Sequence, residues 1–425
     1  MTTDTSFDWG RFAALAREDR WLNTKLAYLD KAVVRIEGPE GAHDLRISDG
    51  RIVSMAEADG ESDMALRFST AVWAGVGENP PRPGFESAAM AQRNGLVIEG
   101  DLARFVAPYH PALERLYLLV GEVMRGPVLL AETDPEPFRD TDDAVGRYKW
   151  ISVDGVDYRI YYETAGTGGI PLLLQHTAGA DGRQYRHLLA DPVLQRDFTM
   201  IAYDLPYHGR SLPPSGKAWW ENAYAPTQKQ LMDFVVAIAD ALSLDRPVFM
   251  GCSVGGQLAL DLAAFHSERF RAFISLNGWH DMGFAEGFSN DKFRDPRNSN
   301  NLFASGCYGA TSPVAPEASR QESYWIYRSN FPGVYAGDND YFMHEHDLRR
   351  DGHLLNAEKT KVYLLSGSYD PSLARPECGP QEVARRFPGV IFKVMDGLSH
   401  FAPSDSPAGF SREIRPILQE ILSQG

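Results

Sequence analysis

In VFMGCSVGGQLAL, residues 248–260, an apolar run stops at a serine and a helical pattern begins. Ser253 stands between Gly251 and Gly255, which fits the pattern G-x-S-x-G directly after a strand and before a helix. In that context the serine occupies a strained turn, and a Cβ at either glycine would crowd it. A simple helix N-cap would also explain the serine, so other residues must decide between the two interpretations.

From Leu172 onward, short apolar runs alternate with segments of helical periodicity. The strand-like runs are PLLLQHT, FTMIAYD, PVFMGCS, AFISLNG, KVYLLSG and VIFKVMD. The helical segments include LMDFVVAIADAL, QLALDLAAFHSERF, PQEVARRF and FSREIRPILQEIL. This α/β alternation predicts a mostly parallel sheet with helices on both faces. Ahead of it, YKWISVDGVDYRIYYETAG alternates around a DG turn and predicts an antiparallel hairpin.

A nucleophilic serine needs a base, because its hydroxyl must lose a proton when it attacks. The motif therefore predicts an acid and a histidine further along the chain. Asp370 follows one strand-like run, in SGSYDPS, and His400 follows the next, in GLSHF. Since loops after parallel strands emerge at one edge of a sheet, we expect Ser253, Asp370 and His400 to converge there. His400 would take the serine proton, and Asp370 would orient the imidazole.

Two backbone N–H groups are expected to stabilise a developing oxyanion. The turn Thr177-Ala178-Gly179 follows the run LLLQ, and the N–H of Thr177 or Ala178 is a candidate donor. The N–H of Val254, directly after the serine, is the second. His208, in YDLPYHGRS, is interpreted as a buried, hydrogen-bonded histidine rather than a base.

Together these motifs resemble the α/β-hydrolase superfamily over residues 148–425. The resemblance rests on HTAGADG at the oxyanion turn, DLPYHGRS in place of the usual D-x-P-G-H-G-x-S, GCSVGG at the nucleophile, SGSYDPS and GLSHF. It implies a serine hydrolase with a Ser253–Asp370–His400 triad and a lid. The chain departs from the family pattern at Tyr207 and Thr177, each of which replaces a glycine.

Other carboxylates compete with Asp370 for the role of the acid. Asp281, in LNGWHDMG, follows the preceding strand, from which such folds sometimes supply it. Asp370 is preferred because Gly-x-x-Asp at its strand end is the commoner arrangement in the family. Asp396 and Asp405 lie too close to His400 in sequence to be strong candidates.

Residues 279–359 interrupt the alternation, and their composition shifts to Asn, Gly, Asp and aromatic residues. Since so long an insertion is rarely a bare loop, we expect a helical lid between core segments 148–278 and 360–425. Most aromatic side chains there are expected to pack the lid onto the body. The candidates for substrate contact are His176, Trp279, Tyr308, Trp325 and Phe401.

Residues 1–125 form a separate α+β region, and residues 126–147 read as a linker. VVRIEG, HDLRISDGRIVSMAEA and DMALRFST predict a β-meander, followed by helices, the strand LVIEGD and a closing helix. This order resembles the sterol-carrier-protein-2-like fold over residues 20–124. The resemblance implies binding of a lipid or acyl chain, while dimerisation or shielding of the active site are equally open.

The chemistry expected is attack on a carbonyl. Serine rather than aspartate at the nucleophile position argues against dehalogenase and epoxide-hydrolase chemistry. An ester, lactone or thioester of a small to medium apolar molecule is the simplest substrate. Two alternatives stay open: cleavage of a carbon–carbon bond in a diketone-like substrate, and a receptor or carrier that keeps the triad but turns over little.

Composition excludes several partners. The 425 residues carry a formal net charge of −15, which argues against general nucleic-acid binding. No run reaches the roughly 18 apolar residues that span a bilayer, and no spacing suggests a metal or cofactor site. The cysteine count of 3 fits a reducing compartment, and the acidic start MTTDTSFDWG lacks a signal-peptide pattern. We therefore expect a cytoplasmic, homodimeric enzyme that acts on a small molecule without a cofactor.

Overall fold

The computed structural model describes residues 6–131, 141–283, 290–295, 297–298, 300–331 and 333–423. The chain divides into two compact units, residues 1–131 with 295–314 and residues 132–294 with 315–425. The segment 295–314, placed in the lid by the sequence, therefore groups with the N-terminal unit. Residues 132–140 of the expected linker and 284–289 of the expected lid lie outside the described residues.

The strands of the described residues are β1 Lys31–Gly38, β2 Gly41–Ser48, β3 Arg51–Glu57, β4 Met64–Phe68, β5 Leu96–Gly100, β6 Val145–Val153, β7 Val156–Ala165, β8 Ile170–Gln175, β9 Phe198–Tyr203, β10 Val248–Cys252, β11 Ala272–Leu276, β12 Lys361–Gly367 and β13 Val390–Met395.

The α-helices are α1 Trp9–Glu18, α2 Arg20–Leu26, α3 Thr70–Val76, α4 Ala88–Ala91, α5 Ala107–Arg125, α6 Arg186–Leu189, α7 Pro192–Asp197, α8 Gln228–Ala241, α9 Val254–Phe265, α10 Asp291–Arg294, α11 Asn301–Gly309, α12 Glu317–Arg328, α13 Val334–Asp340, α14 Leu348–Asp351, α15 Pro380–Arg386, α16 Ala402–Asp405 and α17 Pro407–Ser423.

The first unit is built on a five-stranded sheet in the order β3-β2-β1-β4-β5. β1, β2 and β3 form the expected antiparallel meander. β4 does not extend it: this strand pairs with β1 in parallel, with Val34 opposite Met64. Apolar side chains of the sheet pack with those of α5, including Leu116 and Tyr117, in a core of their own.

The second unit contains an eight-stranded sheet in the order β13-β12-β11-β10-β8-β9-β7-β6. β8 to β13 pair in parallel, and the hairpin β6–β7 joins the edge antiparallel to β9. Leu172 and Leu174 face one core while Leu173 faces the other. Both faces are buried, which is why the parallel strands are continuous apolar runs rather than alternating ones. The predicted α/β-hydrolase architecture is confirmed.

This topology brings the proposed chemical groups to one edge of the sheet. β8, β10, β12 and β13 all run in the same direction, so the loops that follow them meet at their carboxyl ends. Thr177 follows β8, and Ser253 follows β10. Asp370 and His400 follow β12 and β13.

Candidate active site

Ser253 occupies a strained turn between β10 and α9. Its backbone has φ 57° and ψ −110°, a region that non-glycine residues rarely adopt. Its side chain forms no capping hydrogen bond, although it stands at the N-cap position of α9. The helix-cap interpretation is therefore wrong, and the hydroxyl is not used to start the helix.

The glycines around Ser253 are required by packing. A Cβ on Gly251 would lie 2.2 Å from the carbonyl oxygen of Gly255. A Cβ on Gly255 would lie 2.8 Å from the carbonyl oxygen of Gln175. The strand, the turn and the helix thus approach each other too closely for any side chain, which keeps Ser253 in its strained conformation.

Asp370 and His400 contact each other directly. Oδ2 of Asp370 is hydrogen-bonded to Nδ1 of His400, and Oδ1 accepts the N–H of Ser372 at 2.8 Å. The Asp370 side chain is fully buried, whereas that of His400 is 16% exposed. Because a carboxylate only accepts, Nδ1 carries the proton, and Nε2 is left with its lone pair when the ring is neutral.

The segment containing His400 is tied to the strand that carries Ser253. The thiol of Cys252, the residue before Ser253, donates to the carbonyl of His400 at 3.2 Å. The side-chain amide of Asn277 donates to the same carbonyl at 2.9 Å and accepts the N–H of Gly367 at 3.0 Å. These bonds tie the ends of β10 and β12 to the loops after β11 and β13.

The competing carboxylates bond to other groups. Oδ2 of Asp281 lies 2.8 Å from Nδ1 of its neighbour His280. Asp405 accepts the hydroxyl of Ser399 at 2.5 Å, and Asp396 is exposed. Asp370 is thus the carboxylate that the structure places on His400.

In the turn after β8, Thr177 is not available as an oxyanion donor, contrary to expectation. The N–H of Thr177 donates to Oε1 of Gln184 at 2.9 Å, so this donor is already used. The N–H of Gly179 donates to Oδ2 of Asp338 at 2.8 Å. Among the described residues, the N–H of Ala178 has no acceptor. The N–H of Val254 belongs to the first turn of α9, where helix donors lack intrahelical partners.

Phe401 lies beside the histidine, and Tyr327 of α12 extends the same contact. The rings of Phe401 and His400 meet edge to face at 4.8 Å between centroids. Tyr327 stacks at a tilt on Phe401, 5.3 Å away, and its hydroxyl is hydrogen-bonded to Oγ1 of Thr177. Tyr327 was missed because nothing distinguished it from the other aromatic residues of residues 279–359.

Of the other expected substrate contacts, His176 and Trp279 are buried and Trp325 is exposed. His176 is fully buried, and both its nitrogens are bonded, to the carbonyl of Thr177 at 2.8 Å and the N–H of Leu205 at 3.1 Å. Burial lowers the pKa of this histidine to about 4. Trp279 belongs to the hydrophobic core. Trp325 is 67% exposed.

Tyr308 belongs to the first unit, not to the unit that carries Ser253. It is buried there, and its ring meets Trp21 edge to face at 5.2 Å. The sequence placed it in the lid because residue 308 falls within the interruption between β11 and β12. Packing against Trp21 in the first unit accounts for an aromatic residue at this position, so no substrate contact is needed to explain it.

The described residues contain no metal-binding cluster, no disulfide and no membrane-spanning helix. Among the described residues, no set of His, Cys, Asp and Glu side chains is arranged to hold a metal ion. The described thiols Cys252, Cys307 and Cys378 are free and buried. Burial raises the pKa of Cys378 to about 11 and that of the other two thiols further. None of the helices that the structure describes is both long and apolar enough to span a membrane.

Comparison with known proteins agrees with the fold. The family model of the α/β hydrolase fold matches residues 170–301. The chain is 31% identical over 152 residues to the dihydrolipoyllysine-residue acetyltransferase component of an acetoin cleaving system from Cupriavidus necator, 35% of this chain and 37% of that protein. It is 27% identical over 142 residues to a 2-hydroxy-6-oxononadienedioate/2-hydroxy-6-oxononatrienedioate hydrolase from Burkholderia vietnamiensis, 32% of this chain and 46% of that one.

A thermophilic esterase from Thermogutta terrifontis has a similar structure, with a TM-score of 0.54 and 18% identity over 65% of this chain and 99% of that chain. The chain thus spans less than half the length of the two curated relatives, 37% and 46%. The family match, the sheet order and the strained serine agree with one another: the second unit of this chain has the α/β-hydrolase fold.

Proposed function

We propose that the protein is a serine hydrolase that cleaves a carboxylic ester, lactone or thioester through an acyl-enzyme on Ser253. The observation that carries this proposal is the combination of an uncapped serine in a strained turn with the His400–Asp370 hydrogen bond at the same sheet edge. A hydroxyl in that position has no structural use in the helix, and a paired imidazole is the base that it needs.

Acylation begins when the hydroxyl oxygen of Ser253 attacks the substrate carbonyl carbon. Nε2 of His400 takes the hydroxyl proton, and Asp370 stabilises the resulting imidazolium through Nδ1–H. The tetrahedral intermediate then collapses, and the imidazolium returns its proton to the departing alcohol or thiol. Water then attacks the acyl carbon while His400 removes one of its protons. The bond between that carbon and the Ser253 oxygen breaks, the imidazolium returns its proton to the serine oxygen, and the carboxylic acid leaves.

The N–H groups of Val254 and Ala178 are the proposed oxyanion donors. Donors fixed in place where charge develops stabilise the transition state more than the bound substrate. Thr177 is not included, because its N–H already bonds to Gln184. The rings of Phe401 and Tyr327 next to His400 and Thr177 support an apolar substrate.

A carbon–carbon bond hydrolase is the second candidate. The same serine and histidine serve in both reactions, and the Burkholderia vietnamiensis relative is named for oxo-acid substrates. In this reaction His400 would first promote ketonisation of a diketone-like substrate. The third candidate is a receptor or carrier that keeps the triad but turns over little substrate.

A single panel of substrates distinguishes the three candidate functions. Wild type and Ser253→Ala are assayed with p-nitrophenyl esters of increasing chain length, a lactone and a vinylogous diketone. Many turnovers on esters, lost in Ser253→Ala, support the proposal. Turnover of the diketone alone would replace it with the carbon–carbon hydrolase, and fewer than one turnover per protein on every substrate would favour the receptor.

A further inference from the structure

A buried carboxylate of the insertion reaches the proposed oxyanion turn. Asp338, on α13, has no exposed side-chain surface. Its Oδ2 accepts the N–H of Gly179 at 2.8 Å and faces Nε2 of His208 at 2.7 Å. Its Oδ1 accepts the hydroxyl of Tyr224 at 3.2 Å. One side chain thus bonds the turn after β8, the turn after β9 and the loop before α8.

The neighbours of the partner His208 favour its protonated form. Its Nδ1 lies 2.9 Å from the carbonyl of Pro206, so both ring nitrogens face groups that only accept. Burial lowers the pKa of His208, but the charge and hydrogen bond of Asp338 outweigh burial, and the pKa is raised. Asp204 raises the pKa as well, while the rings of His176 and Tyr224 lie against the imidazole.

The turn that carries Ala178 is held at both ends. Thr177 is bonded through its N–H to Gln184 and through its hydroxyl to Tyr327. At the other end, Gly179 has φ +61°, and a Cβ there would lie 2.8 Å from Cβ of Tyr335, a residue of α13. Backbone atoms of the turn therefore pack directly on the helix that supplies Asp338.

We propose that Asp338 is a positioning residue, which fixes the 177–179 turn so that the N–H of Ala178 points at the oxyanion. This inference rests on the proposed serine-hydrolase function. Asp338 acts through Gly179 and does not touch the substrate. An error of about 1 Å in such a group lowers the rate on the order of 10²-fold. Because the oxyanion forms only in the transition state, the loss falls on kcat and not on KM.

The test compares Asp338→Asn with Asp340→Asn on the same helix. Asp340 bonds to Asn290, at 2.6 Å, and to Arg294, so the control removes a charge of α13 that does not reach the turn. kcat and KM for a p-nitrophenyl ester are measured from pH 6 to 9. Each kcat is divided by the concentration of active serine, titrated with a fluorophosphonate, so that unfolded protein does not count.

In Asp338→Asn the amide oxygen still accepts from Gly179 and His208, but the negative charge is lost. The pKa of His208 then falls, and with rising pH a neutral imidazole turns an unprotonated nitrogen toward an acceptor. We expect kcat of Asp338→Asn to match wild type at pH 6 and to fall about tenfold below it at pH 9, with KM unchanged. Asp338→Ala is expected to lose on the order of 10²-fold at every pH.

The proposal is overturned if Asp338→Asn and Asp340→Asn have the same normalised kcat at every pH. It is also overturned if the loss disappears on normalisation or falls on KM. If Asp338→Asn does not fold, His208→Gln takes its place: it removes the same pair from the other side and is expected to lower kcat at every pH with KM unchanged, whereas an unchanged kcat overturns the proposal. A wild type that turns over no ester would instead refute the proposed function.

Discussion

Oδ2 of Asp370 is hydrogen-bonded to Nδ1 of His400 across two neighbouring loops of the sheet. The alternative acid, Asp281, bonds to its own neighbour His280, at 2.8 Å. Only the first arrangement leaves Nε2 of His400 as a base while Nδ1–H is held by a carboxylate.

Asp370→Asn is therefore expected to lower kcat by about 10⁴-fold, because an amide stabilises neither the required tautomer nor the imidazolium. Asp281→Asn is the matched control and is expected to keep the wild-type kcat. Steady-state kinetics on an ester decide between them. If the two variants exchanged their behaviour, Asp281 would be the acid.

The crowding around Ser253 predicts a stability effect. Gly251→Ala places a Cβ 2.2 Å from the carbonyl oxygen of Gly255, so β10 and α9 must separate. Overpacking of this kind costs about 1–3 kcal/mol or more in the free energy of unfolding. The control is Gly169→Ala, since no atom lies within 4 Å of a Cβ there. Urea denaturation of both variants measures this loss of stability. Equal denaturation midpoints for Gly251→Ala and Gly169→Ala would contradict the crowding at Gly251.

Truncation of the two aromatic residues Phe401 and Trp325 is expected to have a large effect at Phe401 and almost none at Trp325. Phe401 is buried against His400, so Phe401→Ala should remove a wall of the site and lower stability by about 3–5 kcal/mol. Trp325 is 67% exposed, and Trp325→Ala should change stability by no more than about 0.5 kcal/mol and leave kcat/KM unaltered. Kinetics and melting curves check both. A large loss of kcat/KM in Trp325→Ala would return that residue to the substrate site.

A buried ion pair between Asp261 of α9 and His346, which precedes α14, makes stability depend on pH. Nδ1 of His346 lies 2.7 Å from Asp261, and Nε2 lies 2.9 Å from the carbonyl of Trp279. Burial lowers the pKa of His346, but Asp261 outweighs it and the pKa is raised, with a smaller contribution from Asp347. The stabilisation is complete below the unfolded pKa of about 6.5 and is lost as the pH rises through the folded value.

Asp261→Asn should remove this dependence. The wild type exceeds the variant in stability at pH 6, and the difference should shrink by up to about 1.4 kcal/mol per pH unit above pH 7. Chemical denaturation of both proteins across this range measures it. A difference that stays constant or grows with pH would contradict the charged assignment of His346.

Periodicity and motif spacing were sufficient to predict the sheet of the second unit and the positions of Ser253, Asp370 and His400 at its edge. They work because buried parallel strands need continuous apolar runs, and because G-x-S-x-G reflects a local steric requirement. The strand β4 was predicted within DMALRFST, but its parallel pairing with β1 was not, since that partner is chosen by packing across the unit and not by adjacent sequence.

The hydrogen bonds of the oxyanion turn could not be predicted from the sequence. Whether the N–H of Thr177 is available depends on Gln184, which lies within reach only because of the local fold. The roles of Asp338 and Tyr327 depend on contacts more than a hundred residues apart in the chain. Trp325 and Tyr308 carried the same aromatic signal as Phe401, and burial and unit membership alone distinguish them.

Labelling with a fluorophosphonate, followed by intact mass and peptide mapping, reports whether Ser253 is an activated nucleophile. Wild type, Ser253→Ala, His400→Ala and Asp281→Asn are treated in parallel. We predict one phosphonate on Ser253 in wild type and Asp281→Asn, none in Ser253→Ala, and much slower labelling in His400→Ala. Label on another residue, or a folded wild type that takes up none, would contradict the assignment of Ser253 as an activated nucleophile.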